Sequence, residues 1–228
     1  MFEGLTDIFF DLDHTLWDFE ANSARTFERI LFENGIKVDL DLFLAVYSPI
    51  NFEMWKRYRE NGIGQEELRY QRLRRTFDAL GLSLGDLQIH QLSRQYIEHL
   101  PSFTQLLPNA LEILDYLYPK YSLHIITNGF EQVQLKKLTG SGLYRYFDQL
   151  VNSEMAGVKK PDPRIFGMAL ELAKAEPGRS LMIGDNLQAD ILGAKQLGMH
   201  VLHFNSNREP EHEICRTIYD LIEIKSLI

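Results

Sequence analysis

The chain has 228 residues, 45% of them hydrophobic and 25% charged, which is ordinary globular composition with length for one large domain or a core carrying a smaller insert. Its 24 Lys and Arg against 32 Asp and Glu leave a net charge of −8, which repels polyanions and argues against duplex nucleic acid as a partner. The single cysteine, Cys215, excludes an internal disulfide and a cysteine-based zinc cluster and is expected as a thiol on an ordinary helix.

The first apolar run, Ile8-Phe9-Phe10, is too short for a signal sequence or a membrane span, so a cytoplasmic protein with no membrane partner is expected. Its apolar character is continuous rather than alternating, which suits a strand buried on both faces. From about Asp18 to Leu100 no strand is evident. Helical patterns fill this stretch, such as Ala24, Phe27 and Leu31 ending at Gly35, and Leu73, Phe77 and Leu80 ending at Gly81. Pro108 stands at a plausible first helical position before Leu111, Leu114 and Leu117. Further strand-like runs follow at Leu123–Ile126, Gln149–Val151, Leu181–Ile183 and Val201–Phe204. Helical patterns separate them, including Ile165, Ala169, Leu172 and then Ile191, Ala194, Leu197 with Gly198 as a stop. Strand and helix in alternation predict an α/β fold, a Rossmann-like parallel sheet flanked by helices, with an all-helical insert after the first strand. The expected division is a core of residues 1–17 and 101–228 and a helical domain of residues 18–100.

Open α/β sheets bind ligands beyond the carboxyl ends of their strands. The polar residues that follow the apolar runs are Asp11-Leu12-Asp13-His14-Thr15, then Thr127-Asn128-Gly129, then Gly184-Asp185-Asn186 with Asp190 beyond. Lys159-Lys160-Pro161 precedes the helix before the fourth strand. Acidic groups gathered at strand ends repel one another unless a cation binds among them, and oxygen donors with room for water suit Mg²⁺. A carboxylate beside that ion can attack phosphorus, while a lysine offsets charge on the transferring oxygens. The Thr127 hydroxyl and backbone N–H groups at Thr127-Asn128 can hold a phosphate oxygen, and a second carboxylate two residues after the nucleophile can move the proton.

These four clusters, in this order, resemble the motifs of the haloacid dehalogenase superfamily, and the resemblance spans nearly the whole chain. It implies that Asp11 is the nucleophile and Asp13 the general acid and base. It further implies that Thr127, Asn128 and Lys160 meet the phosphate, and that Mg²⁺ is held by the Asp11 carboxylate, the Asp13 carbonyl and the Asp185 carboxylate, with Asp190 in support. Lys160 is preferred to Lys159 because Pro161 follows it. The insert between the first two motifs resembles the family's helical cap, which closes over the site and selects the leaving group. The run Ile126-Thr127-Asn128-Gly129-Phe130, with Tyr146-Phe147-Asp148 and Leu16-Trp17-Asp18-Phe19, is similar to the bacterial branch of pyrimidine and non-canonical nucleotide 5′-nucleotidases. A nucleoside monophosphate is therefore the expected small-molecule partner. Trp17, Phe19 and Trp55 are the candidates to stack on its base, a contact that contributes about 1–3 kcal/mol.

Other readings share part of this pattern. Phosphoglycolate phosphatases, sugar phosphate phosphatases and phosphomutases carry the same four motifs. A dehalogenase needs neither Mg²⁺ nor Asp13. A phospho-receiver signalling module gathers similar residues in a different order and lacks the long insert. His14 is expected to be structural, and the remaining histidines are assigned no role. Arg69, Arg72, Arg74 and Arg75 are expected to form a solvated helix face, and Phe19, Tyr47, Phe52, Trp55 and Tyr58 mostly helical-domain core. The sequence leaves the oligomeric state open.

Overall fold

The computed structural model describes residue 2 and residues 4–228. Contacts divide the chain into two compact units, Met1–Phe19 with Thr104–Ile228, and Glu20–Phe103.

The first unit is built on one six-stranded sheet: β1 (Asp7–Phe10), β2 (Ser122–Thr127), β3 (Gln149–Asn152), β4 (Ser180–Gly184), β5 (His200–Phe204) and β6 (Thr217–Ile218). Their spatial order is β3-β2-β1-β4-β5-β6 and every neighbouring pair is parallel. All five apolar runs of the sequence are strands. The sixth, only two residues long, carried no periodic signal and adds an edge beyond β5. Helices α5 (Ala110–Leu117), α6 (Glu131–Gly140), α7 (Ser153–Ala156), α8 (Pro163–Ala173) and α9 (Gly193–Gln196) lie between the strands. Phe9, Ile126 and Met182 of the sheet share one core with Ile165, Phe166 and Ala169 of α8. Continuous apolar strands are what such two-sided burial demands.

The helical faces differ in phase from the sequence reading. In α5 the buried residues are Ala110, Ile113, Leu114 and Leu117, while Leu111 is exposed, because it stands about 100° around the helix from Ala110. Pro108 precedes the helix, and Asn109, at φ 63, caps it. In α8 the stripe is Ile165, Phe166, Ala169 and Leu170, which puts Leu172 at its edge and largely exposed. Cys215 lies in a bend just before β6, not on a helix.

The second unit contains α1 (Phe19–Glu33, from Glu20 on), α2 (Leu40–Arg59), α3 (Gln65–Ala79) and α4 (Asp86–His99). Its centre is aromatic: the Phe27 ring lies 4.5–4.7 Å from those of Phe43, Tyr47 and Tyr96. Arg72 is not on a solvated face. It is 2% exposed, with its guanidinium 4.6 Å over the Tyr96 ring and Nη1 donating to Asn51 at 3.3 Å. The flat guanidinium stacks on an aromatic face, which an ammonium does less well. Arg74 and Arg75 do reach water and pair with Asp78 and Glu53. Tyr47 and Tyr58 are core residues, whereas Phe52 is exposed. Among the described residues, no helix is long and apolar enough to cross a membrane.

Candidate active site

β1 is central, with β2 on one side and β4 on the other. The chain runs outward from β1 in both directions, so the crevice at the carboxyl ends of these three strands is where a parallel sheet of this kind takes a ligand. Asp11 follows β1 directly, and its N–H donates to Ile183 of β4 at 2.9 Å. The chain then turns sharply: Leu12 O accepts from the N–H groups of Leu16 and Trp17, and His14 takes φ 63. Thr127 is the last residue of β2, and Asp185 follows β4.

Lys160 joins these strand ends. It is 2% exposed, and its Nζ lies 2.6 Å from Asp11 Oδ1, 2.6 Å from Asp190 Oδ1 and 2.7 Å from Ile126 O. Burial opposes its charge, but the Asp11 and Asp190 carboxylates outweigh that and push its pKa up to about 12. Asp190 is buried and its Oδ2 accepts from the Asn186 N–H at 3.0 Å. That position exists because residue 184 is glycine: a Cβ there would stand 2.3 Å from Asp190 Oδ2.

Asp11, Asp185 and Asp190 each offer an oxygen within 4.8 Å of the others. Burial chiefly, and the neighbouring carboxylates after it, push Asp11 up to about 8 despite Lys160. Burial and Asp190 likewise hold Asp185 well above the usual carboxylate range. With all four carboxylates ionised, counting Asp13, the two ammonium groups Lys160 and Lys137 leave an excess of two negative charges, and the raised Asp11 and Asp185 are the cost of holding that excess without a cation. Buried carboxylates in such excess are costly unless a cation joins them. An all-oxygen donor set short of two positive charges suits a hard divalent cation.

Asp13 is held from α6, which carried no signal in the sequence. Lys137 Nζ donates to Asp13 Oδ1 at 2.6 Å, and Gln134 Nε2 donates to Asp13 Oδ2 at 2.9 Å and to Thr127 Oγ1 at 2.8 Å. His203 was also missed: its Nε2 lies 2.7 Å from the Asp185 carbonyl oxygen, and its Nδ1 lies 2.9 Å from His212 Nε2. Thr15 Oγ1 donates to Asp185 Oδ1 at 3.5 Å. Spacing along the chain does not reveal such partners, because they arrive from elements distant in the chain.

The Asn128 side chain engages the lysine segment. Its Nδ2 donates to Lys160 O at 3.0 Å and its Oδ1 accepts from the Lys160 N–H at 2.7 Å, so the amide positions Lys160 instead of facing outward. Trp17 is fully buried with the Lys137 ammonium 4.2 Å from its ring centroid, so it packs rather than offering a stacking face. Phe19 is likewise buried, 4.9 Å from the His14 ring and 5.6 Å from the Lys137 ammonium, so it too packs rather than stacking on a base. Trp55 belongs to α2 of the helical unit, edge-on to Tyr58 at 5.6 Å.

Residues 8–198 match the family described as haloacid dehalogenase-like hydrolase. The pyrimidine 5′-nucleotidase PynA of Streptococcus pneumoniae is 31% identical over 97% of this chain and 92% of its own. The glyceraldehyde 3-phosphate phosphatase of Pyrococcus abyssi is 31% identical over 96% of this chain and 90% of its own. The HAD-hydrolase YfnB of Bacillus subtilis, solved bound to magnesium, superposes with a TM-score of 0.88 at 26% identity and covers 99% of both chains. A matched stretch this long, over a sheet whose strand ends bring Asp11, Thr127, Lys160 and Asp185 together, places the chain in the haloacid dehalogenase-like hydrolase family.

Proposed function

We propose that the protein is a Mg²⁺-dependent phosphomonoesterase that hydrolyses nucleoside 5′-monophosphates, pyrimidine ones best, through an aspartyl-phosphate at Asp11. The observation that carries this reading is the placement of Lys160 Nζ, 2.6 Å from Asp11 and from Asp190, within a carboxylate cluster short of two positive charges. The similarity to PynA supports the nucleotide as substrate.

Lys160 occupies Asp11 Oδ1, which leaves Oδ2 to attack phosphorus. As that O–P bond forms, the ester P–O bond breaks and Asp13, which enters this step as the carboxylic acid, gives its proton to the leaving oxygen. A water oxygen then attacks phosphorus, its proton passes to Asp13, the acyl P–O bond breaks and the Asp11 carboxylate is restored. Lys160 and the Thr127 hydroxyl hold the phosphoryl oxygens and offset their charge. Asp11, Asp185 and the Asp13 carbonyl, with Asp190 in support, would hold magnesium, which would supply Lewis-acid stabilisation of those oxygens. Residues 1–19 and 104–228 are thus the catalytic core, and the helical unit is a cap that selects the leaving group, with Trp55 the residue to meet the base.

Phosphate release over a panel of nucleoside monophosphates, phosphoglycolate and sugar phosphates tests the reading, with EDTA and Asp11→Asn as controls. The expected result is magnesium-dependent release, greatest with pyrimidine monophosphates and absent in the variant. Full activity of Asp11→Asn would overturn the mechanism. A marked preference for a triose phosphate, in line with the Pyrococcus relative, would move the substrate and leave the chemistry standing. If Trp55→Ala leaves the nucleotide KM unchanged, that ring does not stack on the base.

A further inference from the structure

Lys137 and Gln134 stand one turn apart on α6 and together hold both oxygens of the Asp13 carboxylate. Lys137 is 2% exposed, and its ammonium is fixed from a second direction by the ring faces of Trp17, at 4.2 Å, and Phe19, at 5.6 Å. Gln134 is fully buried and ties Asp13 Oδ2 to the Thr127 hydroxyl through one amide nitrogen. Gly129 leaves room for this: a Cβ there would stand 2.4 Å from Gln134 Nε2. A carboxylate has about four lone-pair sites, so one bond to each oxygen fixes its plane and still leaves sites for a reacting group.

Resting on the assignment of Asp13 as general acid and base, we propose that Lys137 is the positioning residue for that proton transfer, with Gln134 as its partner on the other oxygen. Freed of Lys137, the Asp13 side chain turns about its own torsions, and a proton donor displaced by about 1 Å loses on the order of 10²-fold in rate. A lysine that only balanced charge, or acted on the phosphoryl group, would serve every phosphate ester alike. One that acts through Asp13 matters only where the leaving oxygen needs a proton.

The experiment compares kcat/KM, which covers the steps up to departure of the leaving group, for two esters. One is the best alkyl phosphate of the panel, whose alkoxide must be protonated. The other is p-nitrophenyl phosphate, whose phenolate leaves unaided. Lys137→Met is expected to lower kcat/KM on the order of 10²-fold with the alkyl ester and less than about threefold with the aryl ester. Lys137→Arg, which keeps a cation, should recover most of the loss, and Asp13→Asn with Lys137→Met should be no worse than Asp13→Asn alone. Equal losses with both esters, no loss, or additive losses in the double variant would overturn the proposal. If Lys137→Met does not fold, Lys137→Gln carries the same comparison. Should Asp13→Asn keep wild-type kcat/KM with the alkyl ester, the acid–base reading itself falls. Should it lose activity while Lys137→Met does not, only the assignment of Lys137 falls.

Discussion

Gly184→Ala puts the arrangement around Lys160 to a direct test. The added Cβ would stand 2.3 Å from Asp190 Oδ2 and 2.5 Å from its Cγ, about 1 Å inside ordinary van der Waals contact. The strand cannot give way, because β4 is in register with β1 through Ile183 and Phe10 and with β5 through Gly184 and His203. The Asp190 carboxylate must move instead, giving up the Asn186 N–H at 3.0 Å and Lys160 Nζ at 2.6 Å. Breaking one member of a buried ion pair costs about 3–5 kcal/mol, more than the 1–3 kcal/mol of simple overpacking. Chemical denaturation followed by circular dichroism should therefore show a loss of about 3–5 kcal/mol, together with loss of phosphate release. Gly167→Ala is the control. It lies on α8 with nothing within 4 Å of an added Cβ, so it should gain up to about 1 kcal/mol. A Gly184→Ala protein within about 1 kcal/mol of wild type and fully active would refute the claim that Asp190 is held against this glycine.

Magnesium at about 100 times its Kd should stabilise the protein by about 2.7 kcal/mol, and thermal denaturation should show no such gain in Asp185→Asn. An equal shift in both proteins would place the ion elsewhere. Asp162 accepts the Arg164 N–H at 3.0 Å at the start of α8, and its pKa falls to about 2 because the Arg164 side chain, then that N–H, favour the carboxylate. A depressed carboxylate stabilises the fold fully above its ordinary value of 3.8, and the gain is lost as pH falls towards 2. Asp162→Ala should cost about 1 kcal/mol at pH 7, and melting curves should converge with wild type as the solution is acidified from pH 4 to pH 2. A difference that is constant with pH would mean that the cap is not the cause. Phe27→Ala removes the ring at the centre of the helical unit and should cost about 3–5 kcal/mol in denaturation. A cost below 1 kcal/mol would mean that this aromatic core does not hold the unit together.

The sequence by itself determined the sheet and the strand ends. Continuous apolar runs at Ile8–Phe10 and Leu181–Ile183 leave a chain little choice but a strand covered on both faces, and the polar residues directly after them then stand at one edge of the sheet. Burial stripes were legible only to within a residue, because a helix turns about 100° per position, enough to carry Leu111 from core to solvent. What tertiary structure alone decided is the company those side chains keep. Lys137 and Asp13 are 124 positions apart, and Arg72 looks like any charged residue on an amphipathic helix until Tyr96 is packed beneath it. Local spacing encodes hydrophobic period and turn chemistry. Which distant ammonium meets which carboxylate follows only once β1, β2 and β4 lie side by side, because an ion pair is specified by distance in space, and the chain between its members leaves that distance unmarked.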